Sequence, residues 1–179
     1  LNRMRNLFRL FVPLIINPYY YFKKIKKGMI KNRFNYENAL YNKASFISLA
    51  IANTLKKKDY KECKYLEIGV FDNKVFNTVP LPITQKIGVD PQRGGTHKMT
   101  SDDFFKSNTK YFDVIFVDGL HSYDQCSNDC INSMKFLNED GIIIFHDMLP
   151  RSDIEEKQDM SGDVWKVACE ISKINDSKF

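Results

Sequence analysis

Four short apolar runs constrain this chain more than any other feature: KYLEIGV (64–70), KIGVD (86–90), YFDVIFVDG (111–119) and GIIIFHD (141–147). None alternates apolar with polar residues as a half-solvated strand does, so each predicts a strand buried on both faces. Helical periodicity fills the intervals. Over 36–57, Leu40, Phe46, Ile47, Ala50, Ile51 and Leu55 share a face, and over 123–138 so do Cys126, Cys130, Met134 and Leu137. A closing helix is expected over 162–173 with Asp163 near its start, and a brief extra strand near His97–Thr100. Buried strands interleaved with helices predict a parallel α/β sheet covered on both faces.

Length and charge narrow the function classes. The chain has 179 residues, enough for one domain with one sizeable core. Residues 1–36 hold nine Lys/Arg and no Asp/Glu, whereas the remainder holds 18 Lys/Arg against 22 Asp/Glu. An acidic body is a poor partner for nucleic acid, whose affinity scales with the cations a protein presents. Segment 1–35 mixes Leu7, Phe8, Phe11 and Tyr19–Phe22 with Lys23, Lys24, Lys26 and Lys27. That pattern suits a membrane-surface anchor, with aromatics in the headgroup layer and lysines on anionic lipid. A solvated basic helix packed on the domain or on a partner suits it too. No uninterrupted apolar run reaches 18 residues, so a conventional spanning helix is not expected. Cys63, Cys126, Cys130 and Cys169 read as reduced thiols of a cytoplasmic protein, peripheral at the inner membrane face if the anchor reading holds.

In parallel sheets, ligands bind beyond the carboxyl ends of the strands. Here nearly every strand ends in a carboxylate or a histidine, a pattern that a purely structural sheet does not need. The first run ends Glu67-Ile-Gly69, and its glycine would let a ligand approach the backbone. Asp90 follows 21 residues after Gly69, where an acid can accept hydrogen bonds from two ribose hydroxyls. Asp102 and Asp103 either meet a base amino group or cap a helix starting near Phe104. The last two runs end VDGLHSY and FHDM, placing Asp118, His121, His146 and Asp147 at one rim if those strands are neighbours. Two carboxylates and imidazole suit a divalent cation with positions left for substrate oxygens. A hydroxyl held by such a cation loses its proton more readily, and His121 is placed to take it.

The series YLEIGVFDNKVF, KIGVDP, MTSDDFF, FDVIFVDGLHSYDQ, GIIIFHDMLP and GDVWKV resembles a bacterial family of class I S-adenosylmethionine-dependent methyltransferases, over about residues 36–173. The resemblance implies a Rossmann-like fold and O-methylation of surface polysaccharides or small molecules. By the same resemblance, Glu67 and Gly69 lie beside the methionine part of the cofactor, Asp90 on its ribose and Asp102 near adenine. Asp118 and Asp147 fall on magnesium-ligand positions of metal-dependent relatives, with His146 where those enzymes have another ligand, and His121 on the general base. Two departures stand out. Asp72 and Asn73 occupy the region of the later glycines of the first motif, and the sheet's last edge strands, two in the family, are missing before Phe179. A C-terminally truncated domain over 36–179 is the corresponding expectation.

The resulting expectation is methyl transfer from S-adenosylmethionine to a hydroxyl oxygen of a sugar or glycan precursor, assisted by a divalent cation such as Mg2+. One rival is an NAD-dependent oxidoreductase, which Asp90 would serve equally but which lacks its phosphate-binding glycines. The other is a non-catalytic, truncated binding module on the same fold.

Overall fold

A computed structural model describes residues 42–150, 152–157 and 159–176. The expected segment 1–35 and the first turns of the helix expected over 36–57 lie outside the described residues. The elements in order are α1 (Lys43–Thr54), β1 (Tyr65–Ile68), α2 (Lys74–Thr78), β2 (Lys86–Val89), α3 (Ser101–Ser107), β3 (Phe112–Val117), α4 (Tyr123–Lys135), β4 (Leu137–Phe145) and α5 (Trp165–Asp176). The strands form one sheet in the order β2-β1-β3-β4, with every pairing parallel.

Burial explains why the runs are apolar throughout. Every residue of β1, β2 and β3 is buried. Alternate side chains feed two cores. Leu66, Ile115, Ile143 and their neighbours meet α3, α4 and α5 on one face. Tyr65, Val114, Phe116 and Ile142 meet α1 and α2 on the other, through Ile47, Ile51 and Phe76. Helices on both faces of a parallel sheet make the α/β, Rossmann-like architecture. Asp113, the one acid inside β3, sits at the amino end of the sheet. It accepts from Lys64 N (2.8 Å), Lys58 Nζ (2.9 Å) and Asn138 Nδ2 (2.8 Å), so its buried charge is paired.

Several boundaries differ from expectation for local reasons. The brief strand near His97–Thr100 is a single parallel bridge between Val89 and His97. Thr100 then caps α3 by accepting from Asp103 N (3.1 Å), so the helix begins at Ser101 and both Asp102 and Asp103 lie in its first turn. Leu137 belongs to β4, not to the preceding helix: it pairs with Phe112, and a register shift between Phe112 and Val114 absorbs the polar residues 138–140. The closing helix begins at Trp165, and Asp163 serves α4 instead, accepting from Tyr123 N at 2.6 Å. All four cysteines are unpaired, and burial pushes the thiols of Cys126 and Cys130 up to about 12. Such thiols are poor nucleophiles. Among the described residues no helix is long and apolar enough to cross a membrane, and β4 pairs with no further strand.

Candidate functional site

The sheet's order reverses between β1 and β3: the chain passes from β1 to β2 on one side and returns to β3 on the other. A crevice opens at such a switch point, and parallel register decides what stands around it. Val117 of β3 pairs with Phe145 of β4, and the ladder runs one step further, with His146 N donating to Val117 O at 3.0 Å. Asp118 is therefore level with His146 and Asp147. On the other side Asp118 N donates to Ile68 O at 2.9 Å, which draws the turn after β3 against Gly69.

The rim expected from VDGLHSY and FHDM is thus assembled. His146 Nδ1 lies 3.1 Å from Asp118 Oδ1 and 3.0 Å from Asp147 Oδ2. Neither contact has hydrogen-bond alignment, so Nδ1 is a buried polar atom without an aligned partner. His121 Nδ1 bonds to the carbonyl oxygen of Met160, while its Nε2 stands 3.3 Å from Asp147 Oδ2 and 3.8 Å from Asp118 Oδ1. A carbonyl only accepts, so Nδ1 carries the hydrogen, and in the neutral ring Nε2 offers its lone pair to the rim. Asp147 adopts a left-handed backbone, φ 56°, as it leaves the strand.

The charges are mutually dependent. Burial pushes the Asp118 carboxyl up, but the close imidazoles of His121 and His146 and the Lys43 ammonium outweigh it and hold the group well below the usual carboxylate range. Burial opposes the His146 imidazolium, yet Asp118 and Asp147 carry that group up to about 9. His121 is raised as well, first by its contact with Asp118.

The ligating atoms of Asp118, His121 and Asp147 all lie within 4.8 Å of one another. Two carboxylate oxygens and an imidazole nitrogen suit a divalent cation, and the unaligned buried nitrogen of His146 beside the same oxygens fits a cluster shaped for an additional group. The sequence reading made His146 a ligand and His121 the base. The spacing brings both rings against the two acids, and Asp118, His121 and Asp147 form the group with mutually close ligating atoms.

The expected cofactor residues lie near the carboxyl ends of β1 and β2 and in the first turn of α3. Gly69 has φ +82°, and a Cβ there would lie 1.9 Å from Asp118 O. What approaches this glycine is the chain's own turn, not open space. Glu67 is 1% exposed, faces α1 and accepts from Tyr65 Oη at 2.7 Å; burial raises its carboxyl to about 7. It lies beneath the rim. Asp90 Oδ1 accepts from Gln92 N (2.8 Å) and Arg93 N (2.7 Å), and Oδ2 accepts from Phe71 N (2.9 Å). A carboxylate has about four acceptor positions, so room remains for one ribose hydroxyl where sequence reasoning gave two. Asp102 Oδ1 lies 3.3 Å from Gln125 Nε2, which also reaches Asp129 Oδ1 at 3.2 Å. The later glycines missing from the first motif are replaced in conformation: Phe71 (φ 54°) and Asn73 (φ 63°) take the left-handed backbone.

Sequence reasoning missed three contributors. Lys43 of α1 binds Asp118 Oδ2 at 2.6 Å. Asp129 lines a small cleft with Gly119, His121 and His146, and burial raises its carboxyl to about 6. Segment 160–163 meets the rim through the Met160 carbonyl and through Gly162 (φ +61°), where a Cβ would lie 1.8 Å from His121 O. For the last, the GDVWKV string was a usable signal. For Lys43 there was none, since nothing in helical periodicity marks one lysine among many.

Residues 77–148 match a family model described as a methyltransferase domain. The match runs from α2 past the end of β4 and covers Asp90, Asp102, Asp118, His121, His146 and Asp147. Over those residues the chain is similar to a methyltransferase domain, and its parallel sheet flanked by helices agrees with that likeness. No curated protein and no solved structure matches the chain.

Proposed function

We propose that the domain methylates a hydroxyl oxygen, with a sugar or glycan precursor as acceptor. The observation that carries this reading is His121: its Nδ1 is tied to Met160 O, and its Nε2 is turned toward Asp118 and Asp147 at the switch point. S-adenosylmethionine supplies a methyl group already activated by its sulfonium. The protein's task is to place the acceptor oxygen in line and remove its proton. His121 Nε2 receives that proton, and the resulting imidazolium is stabilised by the two carboxylates. Asp90 and the turn after Gly69 hold the cofactor, and Asp102 lies toward its adenine.

Asp118 and Asp147 are the residues that would hold Mg2+, with His121 Nε2 near enough to alternate between ion and proton. The ion would lower the pKa of a bound hydroxyl. The saccharide class rests on the sequence resemblance, and residues 1–35 add a peripheral membrane contact through their aromatic and basic side chains.

His121→Gln tests the base. The amide keeps a donor for Met160 O but accepts no proton in turnover. With S-adenosylmethionine and a panel of hydroxylated acceptors, kcat is expected to fall about 100-fold or more. The dissociation constant of S-adenosylhomocysteine, read by calorimetry, is expected to stay within about twofold of its original value, because Asp90 is untouched. An unchanged kcat would remove His121 from the chemistry.

A further inference from the structure

In the described site the two rim acids are already matched by the protein's own cationic groups. Asp118 Oδ1 faces the histidines, and Oδ2 is taken by Lys43 Nζ at 2.6 Å. Asp147 Oδ2 faces His121 and His146. Lys43 differs from the histidines in one respect: it is attached elsewhere. It is the first residue of α1, behind an Asn42 cap, and it crosses to a residue 75 positions away. Its side chain is 38% exposed, against 13% for Asp118. A lysine on a flexible four-carbon stem can surrender its carboxylate and reach water with little rearrangement. A buried carboxylate left behind cannot do without a counter-charge.

We propose that Lys43 is a displaceable counter-cation: its ammonium holds Asp118 while the rim is empty, and a divalent ion entering between Asp118, His121 and Asp147 must compete with it. An ion and an ammonium on one carboxylate repel each other across a few ångströms of poorly screened space. Lys43 therefore sets how tightly the ion is held. When displaced, it leaves an ammonium at the mouth of the site. Without an ion the carboxylate remains paired, so the empty domain stays folded. This inference rests on the ion reading above, and the test separates the two.

The probe is Mn2+, titrated at one pH and followed by loss of its free electron-paramagnetic signal, with no acceptor and no turnover. The proteins are the full chain, Lys43→Met, Lys43→Gln, Lys43→Arg and Asp147→Asn, each checked for folding by circular dichroism. Lys43→Met and Lys43→Gln are expected to bind Mn2+ at least 10-fold more tightly than the unaltered chain, and Lys43→Arg within about threefold of it. The gain is expected to persist at 0.5 M salt, where a general surface-charge effect would be screened. Saturable binding by Lys43→Met and Lys43→Gln, with none by the unaltered chain, would be the strongest support. Equal or weaker binding in both Lys43→Met and Lys43→Gln, with binding in the unaltered chain abolished by Asp147→Asn, would overturn the counter-cation and leave the ion site standing. No saturable binding in any folded protein would overturn both.

Discussion

Gly69→Ala is expected to leave little folded protein. The glycine stands where β1 gives way to the switch-point turn, at φ +82°, and the Asp118 carbonyl oxygen occupies the place of a side chain. A Cβ 1.9 Å from that oxygen and 2.7 Å from Gly119 Cα cannot be accommodated by a side-chain rotation, because both neighbours are backbone. Nor can the backbone yield cheaply: Gly69 N bonds to Val89 O and Asp118 N to Ile68 O, both at 2.9 Å. Separating the turns would break the sheet's ladder at its centre. Steric strain of this kind belongs to the small class of substitutions costing about 4 kcal/mol or more, a large share of the roughly 5–15 kcal/mol that holds an ordinary domain together. Gly162→Ala is the instructive comparison. Its Cβ would meet His121 O at 1.8 Å, but Gly162 lies in a turn outside the sheet, where a backbone shift breaks no strand ladder. There a smaller loss of stability is expected, together with loss of the Met160–His121 bond and of turnover. Urea unfolding of the two variants checks both statements. A Gly69→Ala midpoint equal to that of the unaltered chain would mean that the turns after β1 and β3 do not meet.

That glycine also shows where sequence reasoning reaches its limit. Strand existence, parallel pairing and the gathering of Asp118, His121, His146 and Asp147 at one rim were legible, because each follows from local apolar runs and from the rule that ligands collect beyond strand ends. What occupies the space above Gly69 was not, since a glycine reads alike whether a ligand or the chain itself approaches. Asp90 shows the same limit: an acid after a strand gives no sign that Phe71, Gln92 and Arg93 already claim three of its acceptor positions. Leu137 was assigned to a helix because it continues the face of Cys126, Cys130 and Met134, whereas pairing with Phe112 overrides that periodicity. Lys43, Met160 and Asp129 reach the site only through tertiary contact, from three different elements.

Stability should peak in mildly acidic solution and decline toward alkaline pH, unlike a domain held by ordinary surface pairs. Glu67 and Asp129 are both buried, and burial raises their carboxyls to about 7 and about 6, from ordinary values of 4.5 and 3.8. The folded state therefore binds more protons than the unfolded state over that range, and stability falls as pH rises through it. Each group costs on the order of 3 kcal/mol once fully ionised. His146 adds a second limb. Its folded value is raised from 6.5 to about 9, so its contribution is complete below 6.5 and disappears as pH passes 9. Because its side chain is about one-third exposed, screening reduces that limb to about 1–2 kcal/mol. Asp118 sets the acid side: its value is depressed, so its contribution is present above 3.8 and lost as pH falls below it. The urea midpoint is thus expected to be highest near pH 4–5 and to drop steeply to pH 7, then more gently to pH 9. Glu67→Gln should flatten the first limb, because its amide keeps an acceptor for Tyr65 Oη without a charge to bury. His146→Gln should flatten the second. A midpoint constant from pH 5 to 9 would mean that Glu67 and Asp129 are not closed off from water, and that the sheet's centre at the switch point is open in solution.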